Sequence, residues 1–114
     1  MPDRRGFSMA VGSVGQGRTL VYCETGFVTH LEVLWSQPTN RRLIETLAAD
    51  RRVVRFDHRG VGLGDPSGGV RSFEERIEIL EDLIDGLRVD EVDLFGTSQA
   101  ASGHGAWTQL VSWW

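Results

Sequence analysis

One serine has neighbours that suit chemistry. In the run Gly96, Thr97, Ser98, Gln99, Ala100 it follows directly on the apolar stretch Val92 to Phe95. The pattern is G-x-S-x-[G/A]. A tight strand-to-helix turn crowds both neighbours of its serine against the backbone, so small residues flank it. That turn exposes the hydroxyl at the carboxyl edge of a sheet and aims the next helix's N-terminus at it. The chemistry would be nucleophilic attack on an acyl carbon. The same residues also suit an ordinary helix N-cap serine, and five residues alone do not choose between the two.

A serine hydroxyl is a poor nucleophile until a base takes its proton. After Ser98 the sequence has no Asp or Glu, and His104 is the only later histidine. On a continuous helix of 3.6 residues per turn, His104 would sit roughly 240° round from Ser98. His58, beside Asp57, stands at the end of an earlier apolar run, where a makeshift dyad is conceivable and a loop residue in a glycine-rich turn is the plainer reading. His30 lies in a loop, where it would line a pocket. The three histidines lack metal-ligand spacing. The run Gly60 to Asp65 (GVGLGD) invites a dinucleotide reading, but it fails G-x-G-x-x-G at Asp65, and Pro66 follows where a helix should open. Neither cofactor nor metal is expected.

The elements that would position the serine can be read from periodicity. Phe7 to Val11 reads as a short strand and Gly12 to Gly17 as a turn, with the residues through Arg5 loose. Arg18 to Cys23 reads as a strand, and Glu24 to Trp35 as a loop. A helix is expected from Pro38 or Thr39, with Leu43, Ile44, Leu47 and Ala48 on one stripe. Arg51 to Asp57 reads as a strand covered on both faces. Ser72 and Glu75 form a capping-box pattern before a helix carrying Ile77, Leu80, Ile84 and Leu87. Its acidic residues (Glu74, Glu75, Glu78, Glu81, Asp82, Asp85) read as a solvated face, and Gly86 as a mark of its end. Val89 to Gly96 is the last expected strand. Strands alternating with helices imply right-handed crossovers and a parallel sheet.

Composition excludes several functions. The 114 residues suit one small domain, 40% hydrophobic and 25% charged. A net charge of -4 argues against a nucleic-acid surface. No apolar run approaches the roughly 20 residues of a membrane helix, and the N-terminus has no signal-peptide core. All 12 basic residues are arginine, which removes phosphate-loop and Schiff-base lysines. The single cysteine, Cys23, forms no internal disulfide and points to the cytoplasm.

Three segments together carry a family resemblance, from about Arg18 to Ser102. LVYCETGF looks like the first core strand and oxyanion loop of the α/β-hydrolases. VVRFDHRGVGLGDP is similar to their D-x-R-G-x-G-x-S segment, and VDLFGTSQAAS to their nucleophile strand and elbow. GFVTHLEVLW with SQPTNRRLIETLA is similar to actinobacterial hydrolase-like domains, some joined to cyclase or helix-turn-helix modules. The resemblance implies Ser98 as nucleophile, the backbone amides of Phe27 and Gln99 as oxyanion donors, and structural roles for Asp57, Arg59 and Gly60. Gly64 departs from the family's serine, and Gly26 lacks a preceding histidine or proline. In this family the acid and histidine follow the serine; here they are missing.

We therefore expect a partial α/β-hydrolase fold, truncated after the nucleophile elbow. Residues 1–17 form an N-terminal segment, 18–102 the N-terminal half of the domain, and 103–114 a divergent tail without local order. The implied substrate is a small molecule with an ester or similar acyl bond. Whether the chain is a serine hydrolase, weak or inactive, or a non-catalytic interaction module stays open at this level. Self-association through an exposed sheet edge or the tail is a further expectation.

Overall fold

The computed structural model describes residues 1–24, 30–67, 69–70, 72–99 and 106–113. Three apolar runs form the centre of one sheet: β2 (Arg18–Glu24), β3 (Arg51–Asp57) and β4 (Val92–Gln99). β2 pairs in parallel with β3, from Arg18 opposite Arg51 to Val21 opposite Val54. On its other side β2 pairs in parallel with β4, from Leu20 opposite Asp93 to Glu24 opposite Thr97. The expected trio of adjacent parallel strands is therefore present. Two antiparallel strands flank it, β1 (Ala10–Val14) on β3 and β5 (Ala106–Trp113) on β4, giving the order β1-β3-β2-β4-β5.

Both faces of the central strands are covered, which is why their sequences are nearly continuous in apolar residues. Leu20, Tyr22 and Val53 pack on one face with Ile44 of α2 (Pro38–Leu47) and Trp35 of α1 (Leu31–Ser36). Val21 and Val54 pack on the other with Met9 and with Ile79 and Leu83 of α3 (Phe73–Leu87). The rings of Tyr22 and Phe95, opposite each other in register, stack at 5.3 Å.

The helix starts follow local rules. Pro38 opens α2, where its missing N–H costs nothing. Ser72 caps α3 by accepting from the Glu75 amide at 3.2 Å. The Glu75 carboxylate reaches Arg59 Nη2 at 2.8 Å. Gly86 does not end α3, which runs to Leu87 and stops at Arg88 in the left-handed region. A Cβ there would meet the flexible end of the Met1 side chain at 2.7 Å.

Several expectations need correction. β1 lies three residues later than Phe7–Val11, because Gly12, Ser13 and Val14 pair with Arg55, Val54 and Val53. The turn is Gly15 to Gly17, where Gly15 and Gly17 take positive φ of 86° and 122° and Gly17 leaves no room for a Cβ beside the Asp50 carbonyl. The stretch expected to be loop through Trp35 contains α1. Its cap is His30, whose Nδ1 accepts from the Val33 amide at 3.2 Å, and histidine is outside the usual capping set. The first five residues are held firmly: Arg4 pairs with Asp82 at 2.9 Å and Arg5 with Glu78 at 3.0 Å. Glu75, Glu78 and Asp82 are thus ion-pair partners and not a merely solvated face.

A further correction concerns the tail. Ala106–Trp113 is an eight-residue strand registered along the whole of β4. Its tryptophans, threonine and valine favour extended backbone, and an unpaired β4 edge offers it a ladder. Gly103 and Gly105 lie in 100–105, outside the described residues.

Candidate active site

The sheet order fixes where a site belongs. From β2 the chain passes through α1 and α2 to β3 on one side; from β3 it passes through α3 to β4 on the other side of β2. The two crossovers cover opposite faces. Their strands part at β2 and β4, and the carboxyl ends of such a pair form the crevice where ligands bind in open α/β sheets. Ser98 and Gln99 end β4 at that crevice, one and two residues beyond the level of Glu24. The segment leaving β2 at the same edge contains Phe27, which lies outside the described residues.

Ser98 does not occupy a turn. β4 continues through Ser98 and Gln99, which stand opposite Trp107 and Ala106 of β5. The expected strand-turn-helix is replaced by strand pairing, and the next described residue after Gln99 is already in β5. The competing ladder, unseen in a reading that expected a helix, accounts for the difference.

Asp57 ends β3 at the same edge and is fully buried. Its Oδ2 accepts from the amides of Leu31 at 2.9 Å and Leu63 at 3.0 Å. Its Oδ1 has no hydrogen-bond partner among the described residues. β2 separates β3 from β4, so about 10 Å lies between the backbones of the Asp57 and Ser98 strands. His58 turns back on its own loop: Nδ1 lies 2.9 Å from the Arg59 carbonyl oxygen. Because that oxygen only accepts, Nδ1 is the donor in this contact. The makeshift Asp57–His58 dyad is therefore not formed. His30 is committed to its cap, and His104 lies outside the described residues.

No protein-family model and no curated protein matches the sequence. Solved structures do. A hydrolase from Pseudomonas aeruginosa PA01 matches with TM-score 0.72 and 24% identity, over 86% of this chain and 35% of that one. The enol-lactonase from Burkholderia xenovorans LB400 matches with TM-score 0.66 and 21% identity, over 81% and 34%. An epoxide hydrolase from Vigna radiata matches with TM-score 0.61 and 24% identity, over 84% and 30%. An α/β hydrolase fold protein from Burkholderia ambifaria matches with TM-score 0.66 and 22% identity, over 82% of this chain and 32% of that one. The chain has part of the α/β-hydrolase fold. It spans about a third of the length of each of these structures.

Gly64, where the resemblance implies a serine, has a steric reason to be glycine. A Cβ there would collide with the His58 carbonyl oxygen and lie 2.7 Å from that of Asp57. The loop after β3 is thus closed by backbone against backbone. Arg59, only 3% exposed, anchors that loop. Its Nη1 donates to Asp3 at 2.8 Å, its Nη2 to Glu75 at 2.8 Å and its Nε to the Gly69 carbonyl at 3.3 Å. Asp3 was invisible as a partner in sequence, because nothing local marks an ion pair 56 residues long. Cys23, on β2, is no alternative nucleophile: burial pushes its thiol up to about 12, so it stays protonated at neutral pH. Among the described helices none is long and apolar enough to cross a membrane.

Proposed function

We propose that this chain carries the nucleophile side of a serine hydrolase acting on an ester or similar acyl bond of a small molecule. The observation that carries the reading is the placement of Ser98 at the carboxyl end of β4, at the switch point with β2. In this reading Ser98 attacks the acyl carbon, and the amides of Phe27 and Gln99 stabilise the oxyanion. Each such donor contributes on the order of 3 kcal/mol to the transition state. The described residues bring no histidine–carboxylate pair to Ser98, so turnover by this chain alone stays near background. The single free cysteine, Cys23, supports a cytoplasmic setting.

The test separates acylation from turnover. Incubation with a fluorophosphonate should give one slow adduct, located at Ser98 by mass spectrometry and lost in Ser98→Ala. A short-chain activated ester should show little hydrolysis above background. An adduct spread over other residues, or unchanged in Ser98→Ala, would overturn the reading. Efficient ester hydrolysis abolished by Ser98→Ala would keep Ser98 and overturn the missing base.

A second reading, a non-catalytic module, is favoured by β5. This edge strand of eight residues has no charged side chain in its sequence, and such edges recruit further strands. Its partner would be a second copy. Sedimentation should then show dimers that a charge placed on β5, as in Gln109→Glu, dissolves.

A further inference from the structure

The N-terminal segment reaches the candidate site through a continuous series of contacts. Asp3 is 6% exposed. Its Oδ1 accepts from the amides of Arg5 at 2.8 Å and Phe7 at 3.0 Å, and its Oδ2 from Arg59 Nη1 at 2.8 Å. The guanidinium also lies over the Phe7 ring, 5.2 Å from its centre. Arg59 belongs to the loop after β3, whose course is fixed by Gly60 N–H donating to the Asp65 carbonyl and Asp65 N–H donating to that of Ser8. The same loop supplies the Leu63 amide to Asp57 Oδ2. The second donor to that oxygen is the Leu31 amide, the first residue of α1.

We propose that Asp3 is a positioning residue for the carboxyl edge of the sheet: through Arg59 it sets the loop after β3, and so holds Leu63 and Leu31 together on the Asp57 carboxylate. The acidic group at the edge is thereby placed by a residue near the start of the sequence. An arginine this deeply buried requires its anions. Removing one leaves a guanidinium that must reorganise or draw in water. Glu75 alone cannot replace Asp3, because it approaches the other nitrogen, from α3. The consequence for acyl chemistry rests on the hydrolase reading; the positioning itself does not.

Amide hydrogen exchange on the full, isotope-labelled chain tests it without any activity. In Asp3→Asn, exchange at Leu63 and Leu31 should rise about tenfold or more, while the amides of Val21 and Val54 keep their protection, as expected for a local opening. Asp3→Glu, which keeps the charge, should restore most of the protection. Arg4→Ala, which breaks the exposed contact to Asp82 and spares Arg59, should leave Leu63 unchanged. If Asp3→Asn does not fold, Arg59→Lys carries the same test, since one ammonium cannot reproduce the guanidinium's bridge between Asp3 and Glu75. Unchanged exchange at Leu63 and Leu31 would overturn the proposal. So would a uniform rise at all amides, or an equal effect from Arg4→Ala. Failure to label Ser98 would overturn the hydrolase reading and leave this result standing.

Discussion

The two ends of the parallel strands treat a buried aspartate in opposite ways. At the amino end, Asp93 is 4% exposed and meets cations. Arg18 reaches it through Nε at 2.9 Å and Nη2 at 3.1 Å, and Arg51 Nη1 contacts the same carboxylate. Two arginines stand side by side in register there, and Asp93 is what makes that tolerable. At the carboxyl end, Asp57 is equally buried and is held by two amides, with one oxygen unmatched among the described residues. The amino end is organised to hold strands together. Among the described residues, the carboxyl end leaves one carboxylate oxygen without a partner.

The difference can be broken from either side. Asp93→Asn should have the largest effect, costing about 2 kcal/mol in urea unfolding, since Arg51 loses its anion and Arg18 keeps only the exposed Glu91. Gly64→Ala should come close behind, at about 2 kcal/mol, because its Cβ meets backbone oxygens that cannot simply rotate away. Asp57→Asn should cost less, about 1 kcal/mol: an amide oxygen still accepts from Leu31 and Leu63, and no cation is stranded. Equal losses at Asp57 and Asp93 would erase the distinction between the two ends.

The smallest expected effect is a pH dependence. Burial raises the Asp3 carboxyl, but the Phe7 amide, Arg59 and the Arg5 amide outweigh it and hold its pKa below the ordinary 3.8. A carboxyl that binds protons less readily when folded stabilises fully above its unfolded value. That contribution fades as pH falls through the folded one. The urea midpoint of the natural chain should therefore drop below about pH 4, and Asp3→Asn should flatten that part of the curve. An identical acid limb in both proteins would show that Asp3 does not contribute.

Much of the scaffold was legible in sequence because its signals are local. The branched apolar runs marked β2, β3 and β4, Pro38 marked α2, and Ser72 marked α3. α1 escaped notice because a histidine caps it. β1 was displaced because Gly12 reads as a turn until its partner in β3 is known. The edge location of Ser98 was readable from G-x-S-x-A after an apolar strand. That β4 would carry on through it was not, since the reason is a ladder with residues 106–113. Asp3 as the partner of Arg59 belongs to the same class, set by packing between distant segments.

The strand order has a consequence for how the chain acquires its shape. β2 sits between a neighbour that starts about 30 residues later and one about 70 residues later. During synthesis β2 can pair with β3 well before β4 exists. Until then the other edge of Leu20, Val21 and Tyr22 has no partner strand. Pairing that must wait for so distant a segment is slow, and the waiting edge is prone to pair wrongly. The yield of correctly folded protein should depend on how long β2 is left half-paired.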